Sequence, residues 1–335
     1  MPDLFEYIDN SPLKLKRDKI VNGVIDAISD NSLSKGDPLP SVNKFIQRLG
    51  VARMTVVNAL NMLKERGLIV SEDKVGYFVR DVNVKREMKV FLFLTGFNSY
   101  HEILYNRIIA DTCNSNITID LYFHHCNPKI FKSVLQENLG LYGLYAITPF
   151  KDPEVQKLLA RIPSGKLLQI IRPPLREHTS FISQDFYSGV KKSLEKLKDR
   201  LARFNRFILI FPSEKKHPEE IKTAFSEFCT ENNIDYRIEK KLTRELITSG
   251  NAYWVIEDTD LLFLIKTGEE MGFQAGKEFG ILSYNETQMK ELIRNGITVI
   301  SVDFAKMGQS IADFIFHPSA RNETFMPDIL FRKSL

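Results

Sequence analysis

Long apolar runs are missing from this 335-residue sequence, and none approaches the roughly 18 residues that a membrane-spanning helix requires. The first ten residues, MPDLFEYIDN, are acidic. They also lack the basic, apolar and small-residue segments of a secretory signal. We therefore expect a cytoplasmic protein without a membrane partner.

Cysteine is scarce, since only Cys113, Cys126 and Cys229 occur and no CxxC pair is present. This spacing favours neither a disulfide framework nor a zinc site. His124 and His125 stand beside Cys126, but adjacent strand residues point to opposite faces and do not readily share an ion. We expect buried reduced thiols, no metal site and no cofactor.

Several enzyme signatures are also missing. The sequence contains neither GxGxxG after its first apolar run nor GxxxxGK[ST], so two common nucleotide-binding devices are unsupported. It has no GxSxG nucleophile elbow. We therefore do not expect catalysis.

The small positive net charge, +4, is unevenly distributed. Residues 11–80 contain 12 Lys and Arg against 7 Asp and Glu, which is more than the whole excess. A basic N-terminal segment on a nearly neutral chain is typical of a protein that contacts the phosphate backbone of nucleic acids.

The basic segment has the pattern of two helices and a hairpin that follow an earlier helix. Apolar residues at Ile20, Val24 and Ile28 predict a helix over 14–29. Pro38 and Pro40 then favour extended chain before a capping serine. The pattern predicts helices over 42–49 and 55–66, and a hairpin from 69–70 and 77–79.

Residues 36–79, GDPLPSVNKFIQRLGVARMTVVNALNMLKERGLIVSEDKVGYFV, resemble the winged helix-turn-helix of GntR-family bacterial regulators. The resemblance implies a homodimer that binds a palindromic operator in double-stranded DNA. The sequence departs from the family pattern at Asn43 and Val57, which stand where arginines are usual. We therefore expect the DNA bases that it prefers to differ from those that the family commonly prefers. The positions that correspond to DNA contacts are Ser41, Asn43, Arg53, Thr55, Val57, Asn58, Lys74 and Gly76.

A polar stretch at 81–88 predicts a linker, which would separate a DNA-binding domain over 1–80 from a second domain over 89–335. In the second domain short apolar runs alternate with amphipathic stretches, which predicts parallel sheets with helices on their faces. The expected strands are 90–94, 117–123, 144–148, 167–171, 207–211, 253–256, 279–282 and 299–302. Expected helices include 188–201, 219–232, 261–271 and 304–316.

Four segments of the second domain resemble the lactose-repressor family, which shares its fold with periplasmic sugar-binding proteins. They begin KVFLFLTGF, ISQDFYSGV, AYWVIEDTD and TFMPDILF, and they occur in the family's order. The resemblance implies two α/β lobes of parallel sheets flanked by helices, with a ligand cleft between them. The expected fold class is therefore α/β, with an N-terminal winged helix-turn-helix.

Ligands of open α/β sheets bind beyond the carboxyl ends of the strands, and this rule together with the resemblance selects the effector-site candidates. Carboxylates and amides would bond to sugar hydroxyls, while aromatic rings would pack on the sugar ring. The candidates are Phe97, Asn98, Ser99, Tyr100, Phe150, Arg172, Gln184, Asp185, Asp258 and Asn285.

Other roles remain open for some of these residues. Asp185 and Asp258 each precede a predicted helix and so could be helix caps, while Trp254 lies inside a strand and favours the core. Ile221 stands where the family often has an arginine, with His217 and Lys222 as possible substitutes. We expect a regulator, more often a repressor in such families, that responds to a monosaccharide or sugar derivative. The alternative is an enzyme of doubly wound fold with an accessory DNA-binding segment, and a dimerisation module without a ligand is the third hypothesis.

Overall fold

The computed structural model describes residues 3–11, 13, 15–72, 75–80, 88–212 and 217–335. The chain divides into two compact units. The first comprises the described residues up to Lys89 together with 116–118 and 138–143, and the second comprises 90–115, 119–137 and 144–335. The predicted domain bounds remain predictions, because 81–87 of the linker lie outside the described residues.

The first unit contains four helices and a two-stranded antiparallel hairpin among its described residues before Met88. These are α1 Leu4–Asn10, α2 Lys16–Ser29, α3 Val42–Leu49, α4 Arg53–Glu65, β1 Ile69–Glu72 and β2 Gly76–Val79. Asp3 caps α1, and Ser41 caps α3 as predicted. Gly50 ends α3 in the left-handed conformation with φ 61°, which glycine adopts without a Cβ penalty.

One hydrophobic core holds these helices together. Phe45 of α3 is fully buried and meets the ring of Phe5 edge to face, with centroids 5.5 Å apart. Helix α1 lies close to α2, because a Cβ at Gly23 would come within 2.4 Å of Ile8 Cγ1. The sequence pattern did not predict α1, which completes the core beneath α3.

Among the described residues from Met88 onward, the structure has two six-stranded sheets, one in each of two lobes. In the first lobe the order is β13-β7-β6-β5-β3-β4, and the pairings from β13 through β3 are parallel. In the second it is β14-β12-β11-β10-β8-β9, parallel except for β14. The strands are β3 Met88–Leu94, β4 Ile117–Phe123, β5 Leu144–Ile147, β6 Leu167–Ile171, β7 Ser180–Gln184, β8 Arg206–Ile210, β9 Tyr236–Glu239, β10 Asn251–Val255, β11 Gly280–Tyr284, β12 Thr298–Ser301, β13 Asn322–Phe325 and β14 Asp328–Leu330.

Except between β6 and β7, where residues 172–179 form a loop, most neighbouring parallel strands are connected through helices. The helices are α5 Ser99–Thr112, α6 Pro128–Asn138, α7 Pro153–Leu159, α8 Ser188–Glu195, α9 Lys198–Leu201, α10 Glu220–Glu231, α11 Asp258–Glu270, α12 Gln288–Leu292 and α13 Phe304–Phe316. Short 3-10 turns occupy Ser164–Lys166, Arg244–Leu246 and Ile293–Asn295. Among the described residues no helix combines the length and apolarity that crossing a bilayer requires.

The chain passes between the lobes three times: after β7, after β12, and between β13 and β14. The first and third passages lie side by side, since the Asp185 N–H donates to the Phe325 carbonyl at 2.9 Å. The Ser193 hydroxyl likewise donates to the Pro327 carbonyl at 3.0 Å. The two-lobed α/β architecture predicted from the sequence is confirmed.

Candidate functional site

Helix α4 presents the side chains predicted to contact DNA. Val56, Leu60 and Leu63 are buried on its inner face. Arg53 and Asn58 are exposed on the outside, with Thr55 and Val57 half-buried beside them. Because α4 begins at Arg53, that guanidinium stands in the first turn, which enters the groove in helix-turn-helix proteins.

The start of α3 forms a second part of this surface. The Ser41 hydroxyl accepts a hydrogen bond from the Lys44 N–H at 3.3 Å, so its first role is helix capping. Asn43 is exposed in the first turn of α3. Unsatisfied N–H groups at a helix start attract phosphate, which agrees with a backbone-contacting position for Ser41.

The hairpin β1–β2 forms the wing, and Gly76 pairs with Glu72 across it. Gly76 has φ 144°, and a Cβ there would meet no atom within 4 Å. The backbone conformation, rather than crowding by neighbours, is therefore what favours glycine. Lys74, also predicted to contact DNA, lies outside the described residues.

In the second unit, the first-lobe candidates follow β3 and β5. Asn98 Oδ1 caps α5 by accepting from the His101 N–H at 3.0 Å, and Ser99 begins that helix. Phe97 is 81% exposed, whereas Phe150 is buried and stacks on His124 with centroids 5.1 Å apart. Phe97 is thus accessible to a ligand, while Phe150 is largely part of the core.

Tyr100 marks where the two lobes meet. Its ring lies 4.9 Å from that of Phe304, which begins α13 after the second passage between lobes. Burial raises the pKa of Tyr100 to about 12, while the Arg172 charge opposes the rise and the Glu257 charge adds to it. A first-lobe residue therefore lies within electrostatic reach of Glu257 in the second lobe.

Arg172 leaves the end of β6 through a strained turn. Its N–H donates to the Ile170 carbonyl at 2.7 Å, closing a three-residue turn in which the buried Ile171 has φ 68°. A β-branched residue in this conformation is a genuine outlier, and such strain persists where the surrounding structure enforces it. The turn places Arg172 directly after the carboxyl end of β6.

The second-lobe candidates have partners that the sequence did not reveal. Asp258 Oδ1 forms an ion pair with Lys290 Nζ at 2.7 Å. Lys290 is buried and also donates to the carbonyls of Tyr284 and Asn285, at 2.9 and 2.8 Å. Burial lowers the pKa of Lys290, while the Asp258 carboxylate opposes this shift.

Asn285 and Gln184 are the candidates with buried, available polar atoms. Asn285 has φ 60° and directly follows β11, and its carbonyl accepts a hydrogen bond from Lys290 Nζ. Within the described part of the chain, Asn285 Oδ1 and Gln184 Oε1 are buried without a hydrogen-bond partner. Buried polar atoms normally have partners, and a role for these two oxygens in binding a polar ligand remains a proposal.

Asp185 has the capping role that the sequence left open. Its Oδ1 accepts hydrogen bonds from the N–H groups of Tyr187 at 2.9 Å and Gly189 at 2.7 Å, at the start of α8. These bonds hold the first passage between lobes. The side chain is half-buried, and a ligand role for its second oxygen remains a proposal.

Sequence reasoning missed further groups at this edge. The Thr148 and Tyr284 hydroxyls are buried without a partner among the described residues. Burial raises the pKa of Tyr284, and the charges of Tyr100 and Asp185 act in the same direction. Glu257 Oε1 lies 2.8 Å from His217 Nε2. Thr148 directly follows β5 and Glu257 comes two residues after β10, so the strand-end rule could have selected them.

Two buried histidines lie beneath the first-lobe candidates. His101 Nδ1 donates to the Gly96 carbonyl at 2.7 Å, and His124 Nε2 donates to the Thr148 carbonyl at 3.0 Å. Burial lowers the pKa of His101 to about 4 and that of His124 to about 3. His124 is therefore a neutral packing residue, and no cluster of potential metal ligands occurs among the described residues.

We expect the free energy of unfolding to fall as the pH decreases from about 6.5 towards 4. In the unfolded chain His101 and His124 bind protons in this pH range, whereas in the folded chain they stay neutral. Each histidine therefore changes the free energy of unfolding by up to about 1.4 kcal/mol per pH unit. Urea denaturation at pH 7, 6 and 5 measures it. The slope of the unfolding free energy against pH measures the protons taken up on unfolding, and His101→Phe should lower that number by about one. Equal stability at pH 7 and pH 5 would contradict the expectation.

The fold and site define a chain with a winged helix-turn-helix and a two-lobed α/β domain. Residues 16–79 match the family described as Bacterial regulatory proteins, gntR family. The HTH-type transcriptional regulator Rv0792c of Mycobacterium tuberculosis is 29% identical over 120 residues. That match covers 36% of this chain and 39% of the relative, well under half of its length.

Solved structures resemble the two-lobed part. The trehalose repressor from Escherichia coli matches with a TM-score of 0.61 and 13% identity, over 73% of this chain and 100% of that one. A periplasmic binding protein/LacI transcriptional regulator from Alkaliphilus metalliredigens, complexed with D-xylulofuranose, has a TM-score of 0.60 and 14% identity, over 74% and 98%. At such low sequence identity, these structural matches show a shared fold. The named relatives are regulators, in agreement with the prediction of a regulator over an enzyme.

Proposed function

We propose that this chain is a cytoplasmic transcription regulator, more specifically a repressor, whose homodimer binds operator DNA and is released by a sugar. The observation that carries the proposal is the pairing of a GntR-type helix-turn-helix at 16–79 with a lactose-repressor-like fold.

The DNA-binding part of the proposal is supported by exposure and charge. Arg53 and Asn58 are exposed on α4, while the apolar face of that helix is buried. Arg53 is suited to a bidentate bond with guanine or to a phosphate contact. Ser41, Asn43, Thr55, Val57 and Gly76 would complete the surface, with Val57 against a thymine methyl.

The effector part is supported by polar groups at the carboxyl ends of strands in both lobes. Buried oxygens of Thr148, Gln184, Tyr284 and Asn285 offer neutral hydrogen-bonding groups, which suit sugar hydroxyls. Arg172 and Glu257 add charged groups near Tyr100. Asp258 contributes indirectly, because its carboxylate holds Lys290 and thereby the loop that carries Asn285.

The homodimer is supported by exposed apolar side chains on α11 and α12. The two elements are linked by the Asp258–Lys290 ion pair, and Arg294 Nη2 beyond α12 bonds to Glu269 Oε2 at 2.6 Å. Large exposed apolar patches indicate interaction surfaces. The exposed apolar side chains are Leu262, Phe263, Met289 and Leu292.

Sedimentation equilibrium tests the proposed homodimer, and a monomer at micromolar concentration would contradict it.

A coupled titration tests the proposed function. We expect a sugar from a panel that includes D-xylulose and trehalose to raise the melting temperature, because only a binding site gains stability by mass action. The same sugar should weaken binding to an operator selected from random duplexes by about 5- to 150-fold, and the operator should weaken sugar binding equally. Stabilisation without any change in operator affinity would contradict the regulatory coupling. A chain that no sugar stabilises would favour a dimerisation module.

A further inference from the structure

A second concave surface lies in the second lobe, away from the proposed effector site. It is a groove of about 890 Å³ lined by the segments that precede β11 and β12 and by the last residues of the chain. Phe279 comes just before β11, and Asn295 comes shortly before β12. Since these strands are parallel, the groove lies at their amino ends, whereas Asn285 lies at their carboxyl ends.

The groove is strongly basic. Six cationic side chains line it against two acidic ones. The cationic residues are Arg200, Arg203, Lys277, Arg294, Arg332 and Lys333, and the acidic residues are Asp199 and Glu269. Like charges concentrated in a concave surface focus the electrostatic potential and attract anions.

Some of these cations are already engaged. Arg294 pairs with Glu269, and Arg332 Nη2 lies 2.6 Å from Glu286 Oε2. Arg200 donates to the main-chain oxygens of Arg332 and Leu335, at 3.2 and 2.7 Å. These bonds fix the frame of the groove.

Two lysines on the rim remain available. Lys277 and Lys333 are exposed, and within the described part of the chain neither has a carboxylate within ion-pair distance. They belong to adjoining walls, because a Cβ at Gly276 would lie 2.0 Å from the Lys333 carbonyl oxygen. An anion in the groove could therefore contact both ammonium groups.

The remaining lining is apolar. Ile265 and Phe279 are buried in the wall, and the half-buried ring of Phe273 lies 6.4 Å from that of Phe279. Sites for small molecules combine such apolar walls with a few convergent polar groups, and their volumes run from about 300 to 1,000 Å³. The groove therefore has the size of a metabolite site and is lined for a ligand with both charged and apolar parts.

We propose that this groove binds a phosphate-bearing metabolite at a site separate from the sugar effector. Lys277 and Lys333 contact the phosphate, Arg200 and Arg203 supply further positive potential, and the wall formed by Phe273 packs against the rest of the ligand. This site goes beyond the proposed function, because the chain would then respond to a second small molecule besides the sugar. A concave groove within one lobe suits a small anion better than a straight duplex.

Isothermal titration of the full chain with ATP and with pyrophosphate tests the proposal. We expect ATP to bind more tightly than pyrophosphate, because only ATP carries a ring for the apolar wall. Lys277→Gln/Lys333→Gln should weaken both ligands by at least about tenfold. The control Lys240→Gln/Lys241→Gln removes the same charge from exposed residues outside the groove and should bind as the wild type does.

Three results would overturn the proposal. The first is no binding of either anion at low salt, and the second is equal weakening in the test and control variants, which would indicate general surface charge. The third is equal affinity for both anions, which would show that the apolar wall plays no part. Because sugar binding and operator binding are measured separately, failure here leaves the proposed function intact, and failure there leaves this site intact.

Discussion

Replacing Arg53 with alanine is expected to weaken operator binding by about 1–3 kcal/mol, or roughly 5- to 150-fold. Arg53 is exposed in the first turn of α4, and its side chain has no role in the core of the first unit. The variant should therefore fold as the wild type does. Fluorescence anisotropy with the selected operator gives the affinity, and circular dichroism checks the fold.

A matched control lies on the same helix. Arg66 caps the far end of α4 and is also exposed, so Arg66→Ala removes the same charge without reaching the first turn. If Arg53 reads a base, its variant should also lose discrimination at one operator position, whereas a phosphate contact would weaken all sequences alike. Equal affinities for wild type and Arg53→Ala would contradict the assignment of α4 as the recognition helix.

The helix-turn-helix could be predicted closely because its signals are local. Prolines before Ser41, a glycine after Leu49 and a glycine after Arg66 mark its turns, and the structure begins and ends the helices within about two residues of expectation. Helix α1 was missed because seven residues carry too little periodicity. Its place depends on contact with Gly23, which sequence patterns do not display.

The central strands could be predicted for a similar reason, since buried parallel strands read as continuous apolar runs. The buried strand Leu167–Ile171 matches the predicted bounds, and so does the half-buried edge strand Ile117–Phe123. Strands β7 and β9, SFISQ and YRIE, are more polar and were missed. The predicted helix 188–201 is divided in the structure into α8 and α9.

The strand ends that carry the candidate residues could be predicted from the sequence, but the partners of those residues could not. The strand-end rule selected Arg172, Gln184 and Asn285, which the structure places at the carboxyl ends of their strands. It could not show that Asp258 is bound to Lys290, 32 residues away, because that ion pair depends on how α12 packs. The left-handed backbone conformation of Ile171 could not be predicted either, because isoleucine rarely adopts it.

Asp185 poses the sharpest test, because two roles are combined in one side chain. Oδ1 caps α8 through two N–H groups, and the second oxygen would accept from a sugar hydroxyl. Asp185→Asn retains a capping oxygen but removes the charge. Asp185→Ala removes both, and we expect it to lose about 1 kcal/mol of unfolding free energy as well.

We expect both variants to lose the sugar response, with sugar affinity about tenfold or more below wild type, since hydrogen bonds to charged groups contribute about 1.5–3 kcal/mol. Operator affinity without sugar should be unchanged in Asp185→Asn. Comparing the two variants separates these roles. If Asp185 only caps α8, Asp185→Asn should respond to sugar normally and only Asp185→Ala should be impaired. That outcome would move the recognition of the sugar to the neutral oxygens of Gln184 and Asn285. The passage between lobes would then transmit the response without contacting the ligand.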